Sequence, residues 1–303
     1  MTDTTTLPAV DAPAPTPDPR DAWAAWHAER ERALFAPHGW LTPVALLWLR
    51  AQRRELPGVP GLWWADDDGA HVLAADDDGL LAVGPDTAGA GPDGVRHATP
   101  LRGERTWQVV EDGSLVVARY VPDGRDPLAA PDEVEVVVEL VRRTGRYALR
   151  LRDPLAPTRT RFTGVPTFAY DDSWVLDAPV RWYDEPQRVV VGAAQPGLVH
   201  DATLVGEVDV EHAGAARTLR LVGAPGKDGV ALIFSDEADG IAGWRVLQAT
   251  RPAEGAATIR LDLNRTLNLP YVFTDHGTCP SPVLGNHLPF AVEAGERAPR
   301  RHS

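Results

Sequence analysis

The chain has 303 residues, 44% of them hydrophobic, enough for one large or two medium domains with sizeable cores. A formal net charge of -13 argues against a general nucleic-acid or anionic-membrane binder, because phosphate groups are held mainly by clustered Lys and Arg. The single cysteine, Cys279, excludes an internal disulfide, and no apolar run reaches the roughly 18 residues of a transmembrane helix. No basic-then-apolar signal segment opens the chain, so the expected setting is cytoplasmic.

Residues 1–17, rich in Thr, Pro, Ala and Asp, read as a disordered tail. Asp18-Pro19 then gives an N-cap followed by proline at the first helical position, and Trp23, Trp26, Ala33 and Leu34 recur at roughly helical spacing. Thr42-Pro43 repeats the start signal, so Val44 to Leu49 reads as a second, short helix. The region 18–52 is therefore expected to be an N-terminal helical pair.

From residue 60 to 152 the pattern becomes that of short strands. Asp66-Asp67-Asp68-Gly69 and Asp76-Asp77-Asp78-Gly79 sit between apolar runs and read as two hairpin turns. Their spacing does not fit a twelve-residue calcium loop. Gly89, Gly91 and Gly94 spell G-x-G-x-x-G, but no helix follows, so the dinucleotide fingerprint is a decoy. Strands follow at 107–110, 114–120, 134–141 and 146–151, with Asp112-Gly113 and Thr144-Gly145 as turns. Arg142, Arg143, Arg146, Arg150 and Arg152 crowd this stretch. The plainer reading is a solvated strand face offset by nearby acids. The functional one is an anion or carboxylate site, which guanidinium forks suit.

Asp153-Pro154 marks a junction, and a second β region spans 158–296. Its expected strands are 168–170, 174–182, 188–191, 198–210, 218–222, 230–234, 244–249 and 258–263, a spacing that favours a barrel or sandwich. The fold class is thus mainly β, with two sandwich-like or barrel-like regions after the helical pair. The chain from Asn264 to Asn286 reads as a long ordered loop, which is uncommon and often functional.

The run LDLNRTLNLPYVFTDHGTCPSPVLGNHLPFAVEAGE, starting at Leu261, resembles the C-terminal signature of a bacterial family known as domain of unknown function 1684. That signature typically reads L-D-F-N-x-A-Y-N-P-P-C-A-F, then T-C-P-L-P-P, N-x-L and A-G-E. Asp262, Asn264, Asn268, Pro270, Thr278, Cys279, Asn286 and Glu296 stand on it. Tyr271 replaces the family's first cysteine and Leu269 the first proline of its pair, so a two-cysteine role is closed to this chain. The Thr-Tyr pair usual before the arginine at position 245 is also absent. The resemblance is expected to reach upstream to the N-terminal helices and the 146–153 stretch, and it implies no activity, because the family is uncharacterised.

Standard catalytic motifs are missing: there is no G-x-S-x-G elbow, H-E-x-x-H helix or P-loop lysine. Ser235, just after a strand, reads as a turn hydroxyl. His276 and Cys279, with Asp262 and His287 possible neighbours, are a weak zinc pattern. Cys279 is otherwise a nucleophile paired with His276 or, more simply, a small buried hydrophobe. The leading expectation is a small-molecule-binding protein, with enzymatic action on a small polar or anionic metabolite left open. Arg245 would hold an anionic group, Asp262 and Asn264 would orient the ligand, and Asn268 and Asn286 would lie alongside. The alternative is a structural or protein-interaction β module whose asparagines satisfy buried backbone groups. A third reading is metal-assisted hydrolysis through His276 and Cys279. No cofactor is clearly implied.

Overall fold

The computed structural model describes residues 18–83, 99–126, 128–224 and 226–299. The expected tail 1–17 and the decoy Gly89, Gly91 and Gly94 lie outside the described residues. Helix α1 (Pro19–Phe35) starts as its sequence dictates: Asp18 caps it by accepting the Arg20 N–H at 2.8 Å, and Pro19 opens the first turn.

Among the described residues ten strands follow before the junction: β1 (Pro43–Trp48), β2 (Arg54–Leu56), β3 (Val59–Asp66), β4 (Gly69–Ala74), β5 (Leu81–Ala82), β6 (Thr99–Pro100), β7 (Gly103–Trp107), β8 (Ser114–Tyr120), β9 (Val136–Arg143) and β10 (Arg146–Arg152). The expected second helix is β1, so the helical pair is a single helix. Residues 43–48 pair antiparallel with β10, Leu46 opposite Arg150 and Leu47 opposite Leu149. A short apolar run fits either period, and the distant partner decides it. Pro43 is tolerated because it opens an edge strand.

These strands form two antiparallel sheets, ordered β1-β10-β9-β8-β5-β6 and β2-β3-β4-β7. Trp63, Val72, Val138, Leu140 and Leu149 share one core between them, so this region is a sandwich. Asp67-Asp68 turns the β3–β4 hairpin as expected. The second acidic turn does not make a hairpin; it carries the chain from the smaller sheet to β5 in the larger one. Thr144 and Gly145 both take positive φ, 53° and 73°, as a type I′ turn requires between β9 and β10.

The second region holds β11 (Val175–Gly192), β12 (Val199–His212), β13 (Ala215–Gly223), β14 (Gly229–Phe234), β15 (Arg245–Thr250), β16 (Thr258–Asp262) and β17 (Leu267–Asn268). They form one antiparallel sheet, ordered β16-β11-β12-β13-β14-β15-β17, that does not close into a barrel. Two expected strands, 174–182 and 188–191, are one continuous β11 with a bulge between Trp182 and Gln187. Residues 168–170 form no strand; Thr167 makes only an isolated bridge to Glu296. Val208, Leu219, Leu232, Phe234, Ile259 and Leu288 are central to its core.

The arginine-rich face is not solvated. Alternation turns Leu149 and Leu151 into the sandwich core and sends Arg150 and Arg152 the other way, where the chain covers them. Arg150 is 1% exposed. It lies opposite Glu139 across the β9–β10 ladder, and both Arg150 and Arg152 donate to that carboxylate, at 3.2 and 2.8 Å. Trp40 lies over both guanidinium groups. The carboxylate that the forks fit is thus internal. Burial alone would raise the Glu139 pKa, but Arg152 and Arg150 outweigh it and leave the carboxyl below its ordinary value. Arg143 and Arg150 also reach the C-terminal loop, at the Thr278 hydroxyl (3.0 Å) and the His276 carbonyl (3.1 Å). This charged layer joins the sandwich to the second region.

Candidate functional site

The polar residues of the C-terminal signature bond mainly to backbone. Asn264 Oδ1 accepts the Asp171 N–H at 3.0 Å while Nδ2 donates to the Asp171 carbonyl at 2.9 Å. Asn286 repeats this clasp on Arg220 with two 2.9 Å bonds and adds a third to the Ile233 carbonyl. An amide side chain matches the N–H donor and C=O acceptor of one residue, so each asparagine stands in for a missing neighbouring strand. Asp262 accepts the Asn264 N–H and pairs with Arg265 at 3.2 Å.

Arg245 is fully buried. It pairs with Asp236 at 2.8 Å and donates to the carbonyls of Val292, Ala294 and Glu296 at 2.9, 2.7 and 3.2 Å. It faces Asn268 across the β15–β17 ladder. Asn268 donates its Nδ2 to the Arg297 carbonyl at 2.8 Å, and its backbone N–H to the Glu296 carboxylate at 2.7 Å. Gly295 makes this approach possible: at φ 75°, a Cβ there would stand 2.5 Å from the Thr266 carbonyl oxygen. The structure therefore brings Arg245 and Asn268 together, and Asp262 with Asn264, while Asn286 lies apart at the end of β14.

The same segment holds helix α1. Trp23 Nε1 donates to the Asn264 carbonyl at 2.8 Å, and Arg30 donates to the Asn268 carbonyl at 2.9 Å and to Glu296 at 3.1 Å. Burial pushes the Glu296 pKa up, against the opposing pull of Arg30 and the Asn268 N–H.

His276 and Cys279 diverge in role. Cys279 packs with Ile233 and Leu269, and burial pushes its thiol up to about 11. A thiol so raised is poorly nucleophilic at neutral pH. Among the described residues no group of three or more His, Cys, Asp or Glu is placed to hold a metal ion.

His276 instead lines a cleft of ≈ 930 Å³, a size usual for small-molecule sites. Its walls are α1 at Glu31, the chain at Leu41 to Val44, the segment from Pro157 to Pro166, and residues 272–276. Leu41, Val44, Phe162, Val165, Val272 and Phe273 make most of the lining apolar. Several polar groups are already committed to the frame: Glu31 accepts the Val165 N–H at 2.7 Å, Thr158 donates to the Leu41 carbonyl, and Thr274 to the Pro43 carbonyl. Arg161 is exposed, and its guanidinium has no ion pair or hydrogen bond among the described residues. The His276 ring bonds the Val44 carbonyl, and burial lowers its pKa more than Asp275 raises it, so the imidazole is neutral at pH 7.

Residues 160–297 match the family described as "Protein of unknown function (DUF1684)". The match is thus to the C-terminal part of the chain. The match does not extend to α1 or to the 146–153 stretch, where the sequence resemblance was expected to continue. The matched segment supplies the Arg161 and His276 walls of the cleft, whereas Glu31, Leu41 and Val44 come from the chain before it. A solution NMR structure of the uncharacterized protein from gene locus rrnAC0354 of Haloarcula marismortui is 24% identical and covers 48% of this chain and 81% of that one, with a TM-score of 0.40. A search of curated proteins gives no match.

Sequence reasoning singled out His276, though as a metal ligand, and missed Arg161 and Phe162. Those two sit in a short proline-bounded segment whose pattern carries no signal of a site. The cleft arises only when α1 and the 272–276 turn fold against it.

Proposed function

We propose that the protein binds a small amphipathic metabolite bearing one anionic group, in the cleft beside Phe162 and His276. The observation that carries this reading is Arg161, a guanidinium without an ion-pair partner among the described residues, on the wall of a largely apolar cleft. Guanidinium forks match carboxylate and phosphate oxygens. Glu31 and Asp275 set the opposite sign on other walls, so a single anionic group has one favourable position. An enzymatic version would use the neutral His276 imidazole as a proton acceptor. The net charge of -13 supports a partner list without nucleic acid or anionic membrane. A cytoplasmic setting goes with this reading, supported by a single, buried, unpaired thiol. No helix among the described residues is long and apolar enough to cross a membrane.

The test is a thermal-shift screen with small carboxylates, phosphates and sulfonates of graded apolar size. A ligand that binds only the native state raises the melting temperature by mass action. A hit should disappear in Arg161→Ala and weaken in Phe162→Ala, while the unliganded melting temperature of Arg161→Ala stays put because that side chain is exposed. A screen without hits, or hits retained in both variants, would refute the cleft as the site.

A specific observation favours the structural alternative for the signature residues themselves. Arg245, Asn264 and Asn286 direct their polar groups to the backbone and to Asp236 or Asp262, leaving Arg245 buried with no face toward a ligand. We infer that they frame the domain rather than touch a ligand. Substitutions there should lower stability without a separate loss of affinity.

A further inference from the structure

Beyond the end of β14 the chain runs Ser235-Asp236-Glu237 alongside residues 286–288. Ser235 N–H donates to the Asn286 carbonyl at 3.1 Å, Leu288 N–H donates to the Ser235 carbonyl at 2.9 Å, and Ser235 and His287 form a parallel bridge. Side chains alternate along such extended segments. Asp236 therefore turns inward to Arg245, and its neighbours Ser235 and Glu237 turn outward together. The parallel register sets His287 beside them. Ser235 Oγ lies 3.0 Å from His287 Nδ1, and His287 Nε2 lies 2.9 Å from Glu237 Oε1.

We propose that Ser235 is a nucleophile, with His287 as its general base and Glu237 as a positioning residue, reacting with small unhindered acyl esters. The three groups satisfy the geometric requirement of an activated nucleophile: hydroxyl to base, and base to a third group that orients it. The Glu237 carboxylate accepts the Nε2–H, which fixes the tautomer and leaves the Nδ1 lone pair for the Ser235 hydroxyl. The ring nitrogens are used in the order opposite to that of serine proteases, but the proton path is equivalent. Arg245 and Asn286 hold the two backbone segments, so the geometry is fixed by buried groups.

In the reaction Ser235 Oγ attacks the ester carbonyl carbon while Nδ1 takes the hydroxyl proton. The C–O bond to the alcohol then breaks, and the alcohol leaves with that proton. Water repeats the sequence on the acyl-serine and releases the acid. Arg217 brings positive charge to the neighbouring loop, its Nη2 lying 4.0 Å from the Cβ position of Gly285, two residues before His287. His287 is 47% and Glu237 60% exposed, so access is open and selectivity for a long acyl chain is not expected. This inference is independent of the cleft.

The experiment uses the full chain and a fluorophosphonate probe, with peptide mass spectrometry. Attack on phosphorus forms an Oγ–P bond and expels fluoride, with the hydroxyl proton passing to His287. Ser235 should be labelled, and the rate should fall about 10²-fold in His287→Ala, the usual scale of general-base assistance. Glu237→Gln should slow labelling and Glu237→Asp should restore part of the rate, because a carboxylate accepts the Nε2–H more strongly than an amide oxygen does. Hydrolysis of p-nitrophenyl acetate should drop to background in Ser235→Ala. Melting curves check each variant, and His287→Gln replaces His287→Ala if the latter unfolds. An unlabelled Ser235, or labelling at an unchanged rate in the folded His287 variant, overturns the proposal.

Discussion

Arg245 and Asp236 meet at 2.8 Å with both side chains wholly shielded from solvent. Removing one partner leaves a buried charge without compensation, which typically costs about 3–5 kcal/mol. Arg245→Met should lower the urea midpoint accordingly. Arg245→Lys should recover only part, because an ammonium group cannot reach three carbonyls and a carboxylate with the same planar fork.

Glu296 predicts a pH dependence. Its folded pKa lies above the ordinary 4.5, with burial as the main cause. A carboxyl raised in the folded state favours folding most below 4.5, and that contribution is lost as pH rises through the raised value. Glu139 acts in the opposite sense: its lowered pKa contributes stability above 4.5 that is lost as pH falls through the folded value. Denaturation curves across this range should show Glu296→Gln lacking the decline on the alkaline side of 4.5. A variant with the same slope as the parent would contradict the assignment.

Cys279 should resist thiol-directed reagents. With the thiol pushed up to about 11, its thiolate fraction at pH 8 falls roughly 100-fold below that of an exposed thiol near 9. Reaction with a disulfide reagent should be slow in buffer and rapid in denaturant. Equal rates would show that the thiol is accessible in the folded state.

The Asn264 clasp predicts a difference between two small changes. Asn264→Ala should cost about 1–3 kcal/mol for the Asp171 groups left unpaired. Asn264→Asp should cost more at neutral pH, because a carboxylate would then face the Asp171 carbonyl and the Asp262 carboxylate. Acidification should narrow the gap between the two, as read from thermal melts at pH 4 and pH 7.

Much of the fold was legible where local chemistry decides the structure. The Asp-Gly turn after Asp66, the cap at Asp18 and the strand from Ser114 to Tyr120 all follow from patterns a few residues long. Residues 43–48 were misread because six apolar positions suit two periods, and the deciding partner lies a hundred residues away at β10. Arg150 and Arg152 were misplaced for a related reason: alternation shows which residues share a face, but not that Trp40 and the C-terminal loop will cover it. The site was legible only in part. The Asn-rich loop drew attention because amides at turns are unusual, yet its amides serve as backbone substitutes. Arg161 enters the proposed reading through the ion pair it lacks among the described residues, and such a lack cannot be seen along a chain.

Trp23 and Arg30 find their partners 241, 238 and 266 residues further along the sequence. Contacts of such separation form late, since the intervening chain must be ordered before they can close. During synthesis at about 5–20 residues per second, α1 emerges well before residues 264–296 and waits for them before its docking surface exists. Its tryptophan-bearing face stays uncovered for that interval. A ribosome stalled before Asn264 would present an undocked helix.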